Sequence, residues 1–449
     1  MRRLIDWHLK KWKEDKHRKP LIIRGARQVG KTYSIHQLSA VFDNIVEINF
    51  ELTKDAKKIF EKDLKPERII KELSLFSNQK IIPGKTLLFF DEVQEAPEVI
   101  KSLRYFYELY PELHVIAAGS LLEFILEKIG VPVGRVSYLY LYPLSFIEFL
   151  AAGKNYLLIE EIVSHEKGIE INEAIHNKLL DLLGQYFAIG GMPEAIIKWI
   201  ETNDPKASYE IHHQLAESYK QDFLKYAKKH QIKYLEQLFT QIPNMIGEQF
   251  QYKNIHGEYR KRELAPCIDL LSNANIIHKI SHSAGNGVPL GAETNFEWFK
   301  LIYLDIALCQ AILGLDLNTW FLDPSAEFIN RGHIAEAFVG QELLTYSSPS
   351  KHQDLFFWKR EKRGSKAEVD YIFEFNSEIV PIEVKSNHGS TLKSIFAFLE
   401  SHNKSSYGIR FSTHNYSIFN KIDSRPLYAV ASLANVMQKD ALHFLCATT

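Results

Sequence analysis

Gly25-Ala26-Arg27-Gln28-Val29-Gly30-Lys31-Thr32 is an unbroken G-x-x-x-x-G-K-T. The apolar run Leu21-Ile22-Ile23 in front of it reads as a buried strand whose start is fixed by Pro20. Residues 31–38 hold neither Gly nor Pro, so a helix can begin at Lys31. A strand, this loop and a helix are the context that a phosphate-binding loop requires. Gly25 and Gly30 let the backbone curl until successive N–H groups face one anion, with a helix N-terminus behind them. The expected site is therefore residues 25–32, with Lys31 reaching the terminal phosphates as a point charge and the Thr32 hydroxyl offered to Mg2+. The pattern predicts a nucleoside triphosphate ligand.

Working outward, the chain has 449 residues, enough for two to four domains and a large core. Its formal net charge of −1 rules out a global basic field, so any nucleic-acid surface has to be local. Cys267, Cys309 and Cys446 are too scattered for a disulfide framework or a zinc site. They suit reduced thiols and a cytoplasmic setting. Residues 2–19 alternate charges with Leu4, Trp7 and Trp12 and read as a surface helix rather than a signal peptide. No run of eighteen apolar residues occurs, so no membrane span is expected.

Residues 44–50 read as a second strand, and residues 54–76 as a charged helical region. Thr86-Leu87-Leu88-Phe89-Phe90-Asp91-Glu92 then shows the non-alternating apolar run of a parallel strand buried on both faces. Its two acids fall at the carboxyl end, where open α/β sheets bind ligands. Asp91 is the expected Mg2+ holder, and Glu92 the group that orients and deprotonates the attacking water. A fourth strand over 113–118 ends in Gly119-Ser120, which places Ser120 near the third phosphate as a sensor. Arg135 precedes a fifth strand over 136–142 and would project from the domain edge toward a neighbour's nucleotide. That is an arginine-finger position in a homo-oligomer. Arg104 is a weaker candidate for the same role.

Arg24 to Thr32, Phe90-Asp91-Glu92, Gly134-Arg135, Tyr142-Pro143-Leu144-Ser145-Phe146 and Gly190-Gly191-Met192-Pro193 occur together in this chain. In this combination the sequence resembles the prokaryotic ATPases of the AAA+ superfamily that carry a C-terminal restriction-endonuclease-like domain. The resemblance covers nearly the whole chain and implies ATP binding and that architecture. Asn420-Lys421-Ile422-Asp423 matches a guanine-reading N-K-x-D but lies far from the phosphate loop, outside its sheet. Adenine is the expected base.

Residues 144–229 read as a helical lid, broken at Gly190-Gly191-Met192-Pro193, which would move with the phosphate state. Residues 230–322 follow a helix, helix, hairpin plan and read as a winged helix. Arg260, Lys261 and Arg262 open its second helix, where DNA readers place their contacts. The remaining stretch, 323–449, reads as helix, three strands, helix and strand, with Glu336 on the first helix. If residues 369–375 and 379–386 form a hairpin, Asp370 lies opposite Glu383 and the two carboxylates can share a hard divalent cation. Lys385 lies on the same face as Glu383 and would position or deprotonate water for phosphodiester attack. This looks like the D…E-x-K site of restriction-endonuclease-like nucleases.

The expected fold is thus α/β: a P-loop NTPase parallel sheet over 1–143, a helical lid, a winged-helix middle domain and a nuclease-like α/β end. ATP with Mg2+ is the expected ligand of the first site, and a second Mg2+ or Mn2+ that of the last. DNA is the expected partner, and the expected function a DNA-acting or DNA-regulated ATPase. The competing expectation is an ATP-dependent switch that binds a protein partner through an inactive nuclease fold.

Overall fold

In the computed structural model, which describes residues 1–447 except 131, 133, 362–366, 376 and 386–391, two sheets organise the chain. The first contains β1 (Leu21–Arg24), β2 (Asn44–Asn49), β3 (Thr86–Asp91), β4 (His114–Ala118) and β5 (Ser137–Tyr140) in the order β2-β3-β4-β1-β5. All its pairings are parallel. Every residue of β3 and β4 is buried, as expected of strands covered on both faces. Alternate side chains feed different cores. Leu21, Ile23, Leu87, Phe89, Ile116 and Ala118 face one, while Ile22, Leu88, Phe90, Val115 and Ala117 face the other. The order places β1 between β4 and β5, so the loop after β1 and the acids after β3 open on the same edge.

The second sheet has eight strands. They are β6 (Ile277–Ser283), β7 (Thr294–Tyr303), β8 (Leu355–Lys359), β9 (Glu368–Phe375), β10 (Glu378–Lys385), β11 (Gly408–Ser412), β12 (Ser417–Phe419) and β13 (Ile422–Pro426). The order is β12-β13-β11-β10-β9-β8-β6-β7. Strands β8, β9 and β10 form an antiparallel meander, and β11 joins β10 in parallel after the helix Lys393–Ser401. The helix Gly332–Tyr346, with eleven buried residues, underlies this sheet.

The middle region does contain the expected helices, Ile232–Gln241 and Lys261–Asn273, followed by the hairpin β6–β7. That hairpin is not a free wing, because β6 pairs in parallel with β8. The sheet therefore runs across the boundary expected between residues 322 and 323. Nor do the four expected units keep separate cores: one apolar cluster extends from Leu4 through Leu183, Leu238 and Tyr303 to Leu445. Polar contacts reinforce it. Both Glu342 oxygens accept from the Phe146 amide, at 3.0 and 3.3 Å, and Asp305 accepts from the Gly191 amide at 2.6 Å. At the chain's ends, the helix Leu4–Glu14 lies beside the helix Lys439–Cys446, with the Trp7 and Phe444 rings 5.8 Å apart. Among the described residues, no helix is long and apolar enough to cross a membrane.

Candidate functional site

The phosphate loop has the backbone its glycines were expected to provide. Gly25 (φ 146°), Gln28 (φ 64°) and Gly30 (φ 96°) all have positive φ, and the helix Lys31–Ser39 starts directly after Gly30. A Cβ at Gly25 would run into the carbonyl oxygen of Leu141, so only glycine fits there. Lys31 is buried, and its ammonium donates to the carbonyls of Gly25 (2.9 Å) and Ala26 (2.7 Å). Burial lowers its pKa to about 8, against the pull of the Glu92 and Asp91 carboxylates. Thr32 Oγ1 lies 3.4 Å from Asp91 Oδ2, which also accepts from Asn49 Nδ2 at 3.2 Å. Burial and the neighbouring Glu92 push Asp91 up to about 6. A hydroxyl and a desolvated carboxylate side by side are the donor set Mg2+ takes, so Thr32 and Asp91 fit that ion.

Glu92 sits in the left-handed region (φ 51°) directly after β3, and the Gln94 amide donates to it. Gln94 also fills the space above Gly119, where a Cβ would run into its side-chain oxygen. Ser120 follows, buried, at the same edge. The other side of the loop is held by the long helix Pro205–Tyr226. Arg27 donates to both Asp222 oxygens (2.6 and 2.8 Å), and Tyr219 donates to the Arg27 carbonyl at 2.7 Å. From the N-terminal helix, buried Arg3 donates to the Val29 carbonyl at 3.1 Å while paired to Glu148 at 2.8 Å. Arg135 and Arg104, the two arginine-finger candidates, converge on Glu108 Oε1 at 2.9 and 3.0 Å and remain largely exposed.

A second cluster forms in the eight-stranded sheet. Tyr371 is paired with Ile382, so the register of β9 and β10 brings Asp370 beside Glu383, and Asp370 Oδ2 accepts from the Val384 amide at 2.8 Å. Lys385 Nζ lies 2.6 Å from Glu383 Oε1. Glu383 is only 2% exposed, and its Oε2 has no hydrogen-bond partner. Burial and the Asp370 charge push it up to about 8, with Lys385 opposing. An orphaned buried carboxylate oxygen beside a second carboxylate fits a divalent cation held by Asp370 and Glu383. Glu336, from the helix beneath, reaches the same cluster, but its oxygen is paired at 3.0 Å to the ammonium of Lys300 on β7. Among the described residues, no three His, Cys, Asp or Glu side chains are grouped to hold a metal ion.

The family comparison bears on the N-terminal unit as a domain. Residues 17–150 match the model of an AAA domain. The N-terminal unit is an AAA-type P-loop ATPase domain. Residues 180–319 and 331–430 match two further models, each described as a domain of unknown function (DUF8612 and DUF4143). No curated protein matches the chain. Among solved structures, a Walker-type ATPase of Pyrococcus abyssi is similar at 14% identity and TM-score 0.44, over 68% of this chain and 95% of that one. The ADP complex of Hsp104 from S. cerevisiae is similar at 15% identity and TM-score 0.26, over 60% of this chain and 39% of that one. Both likenesses are weak.

Within the ATPase domain, Gly25 to Thr32, Asp91, Glu92 and Ser120 follow the carboxyl ends of β1, β3 and β4 at one sheet edge, while Arg135 precedes β5 at the opposite edge. Asp370, Glu383 and Lys385 gather in the other sheet. Arg260, Lys261 and Arg262 are exposed at the start of the helix Lys261–Asn273, with Glu263 accepting from the Arg260 amide at 2.8 Å. Asn420-Lys421 is the turn between β12 and β13, and Asp423 is paired to Arg425 at 2.6 Å, a structural use of the N-K-x-D residues. Sequence reasoning missed Arg3, Gln94, Tyr219, Asp222 and Lys300. Lys300 alone had a local signal, as a single charge inside the apolar strand Trp298-Phe299-Lys300-Leu301-Ile302-Tyr303.

Proposed function

We propose that the protein hydrolyses ATP at residues 25–32 and uses the nucleotide state to control a metal-dependent, DNA-cleaving site built from Asp370, Glu383 and Lys385. The observation that carries the second half is the convergence of Asp370 with the buried, half-partnered Glu383, with Lys385 hydrogen-bonded to it. The resemblance to nuclease-bearing AAA+ ATPases points the same way, as does the order helix, β8-β9-β10, helix, β11.

In the ATPase domain, the loop amides cradle the phosphates and Lys31 turns from the Gly25 and Ala26 carbonyls to the terminal phosphate oxygens. Thr32 and Asp91 would hold Mg2+, which would supply charge neutralisation at the phosphates. Glu92, oriented by Gln94, takes a proton from the attacking water. Because Arg27 is tied to Asp222 and Tyr219, any shift of the loop on binding is passed to the helix Pro205–Tyr226. The shared core carries it onward to the second sheet. At that sheet, Asp370 and Glu383 would hold a divalent cation, which would supply charge stabilisation to a phosphodiester, and Lys385 would position the water. Degradation of supercoiled plasmid with Mg2+ or Mn2+, stopped by EDTA, tests this reading. A protein that turns over ATP yet leaves plasmid intact under every metal would favour a switch acting on a protein partner.

The exposure of the Arg135 side chain supports assembly into a homo-oligomer in which it reaches the neighbour's nucleotide. Arg135→Ala is expected to bind ATP normally and to lose at least roughly tenfold in turnover, within the range that arginine fingers supply. Mixing it with Glu92→Gln protein restores part of the activity in composite sites. A monomer at saturating ATP with unchanged Arg135→Ala turnover removes the finger assignment.

A further inference from the structure

Lys300 has no role in the reading above, yet it is the most completely buried lysine of the cluster, its side chain 1% exposed on β7. Its ammonium lies 2.7 Å from Glu368 Oε1, 3.0 Å from Glu336 Oε1 and 3.9 Å from Asp370 Oδ1, beneath the Phe357 ring at 5.4 Å. Burying an ammonium costs several kcal/mol unless carboxylates surround it. The carboxylates of Glu368, Glu336 and Asp370 supply those partners and surround the ammonium.

The acids belong to the segment 331–430 and the lysine to the segment 180–319, so the cluster is closed only because β6–β7 joins the C-terminal sheet. Its charges can be followed one by one. Glu336, Glu368, Asp370 and Glu383 meet Lys300, Lys359 (3.1 Å from Glu368) and Lys385. Four carboxylates against three ammonium groups leave a surplus of one negative charge, which a single divalent ion already exceeds. A second ion would add two positive charges with nothing to meet them. The acceptors are divided in the same way: the Glu383 Oε2 oxygen is free, whereas Glu336 and Glu368 are both engaged by Lys300.

We infer that Lys300 is the resident cation of the nuclease-like site: its ammonium fills the place between Glu336, Glu368 and Asp370, and the site therefore takes one divalent ion, on Asp370 and Glu383, and not two. Lys300 is a positioning residue here, and the inference rests on the metal-binding reading of Asp370 and Glu383.

The test is a Mn2+ titration of the full-length, nucleotide-free protein, followed by calorimetry and by the loss of the free-ion electron paramagnetic resonance signal. Asp370→Ala defines the ions that belong to this site. Wild type is expected to bind one such ion per chain, Lys300→Arg one, and Lys300→Ala two. Two Asp370-dependent ions in wild type, or one at unchanged affinity in Lys300→Ala, would overturn the inference while leaving the metal site standing. No Asp370-dependent ion in any variant sinks the metal reading itself, and the inference with it. The wild-type and Lys300→Arg counts do not require Lys300→Ala to fold, and Lys300→Gln, which keeps a donor without the charge, replaces it if it does not.

Discussion

Lys31→Ala should lose nucleotide binding, by more than about a hundredfold in Kd. The cation is buried at the loop and, at a pKa of about 8, remains mostly protonated at neutral pH, so ATP meets a full charge there. Removing one partner of a desolvated charge pair costs roughly 2–5 kcal/mol. Arg27, the other cation of the loop, is already committed to Asp222 on the helix Pro205–Tyr226 and is not placed to replace Lys31. Glu92→Gln separates binding from chemistry. The substituted amide keeps the shape and the Gln94 contact but cannot accept a proton, so ATP should bind as in wild type while turnover falls about 10²- to 10⁴-fold. Fluorescent-nucleotide titration and phosphate release measure the two effects. Normal hydrolysis by Lys31→Ala would remove the phosphate-loop assignment.

Asp370→Ala and Lys385→Ala should each abolish metal-dependent plasmid cleavage while leaving ATP turnover within about twofold of wild type. The two sites lie in different sheets and share no side chain. Asp370→Ala removes one of the two carboxylates proposed to hold the cation. It also strips an acceptor from the Val384 amide, which leaves a buried donor unpaired at a cost of about 1–3 kcal/mol. Melting curves therefore belong beside the activity assay, with Asp370→Asn as the gentler substitution. Lys385→Ala leaves the carboxylates in place and removes the group proposed to position water. Cleavage that persists in a folded Lys385→Ala protein would take Lys385 out of the mechanism.

The sequence displayed the ATPase domain because its signals are local. An apolar strand, a glycine loop and a helix follow one another within residues 21–39, and Asp91-Glu92 closes a strand whose apolar run is unbroken. The pairing of Asp370 with Glu383 was legible for the same reason, since a tight hairpin fixes its own register. What stayed hidden depends on contacts between residues far apart in the chain. Arg3 supporting the Val29 carbonyl, Asp222 gripping Arg27 and Lys300 entering the acid cluster carry no periodicity or turn signal that links the partners. The parallel pairing of β6 with β8 was hidden in the same way. It converts an expected free wing into two strands of the C-terminal sheet, because a hairpin with an unpaired edge still has backbone donors and acceptors to satisfy.

Coupling between the two sites is the centre of this account, and the most direct measurement is ATP turnover with and without DNA. Wild-type protein at saturating ATP and Mg2+ should hydrolyse ATP faster when single- or double-stranded DNA is added, and Glu92→Gln protein should stay far below the wild-type rate in either condition. A wild-type rate that is the same without DNA, with single strands and with duplex would contradict the proposal that this ATPase acts on DNA.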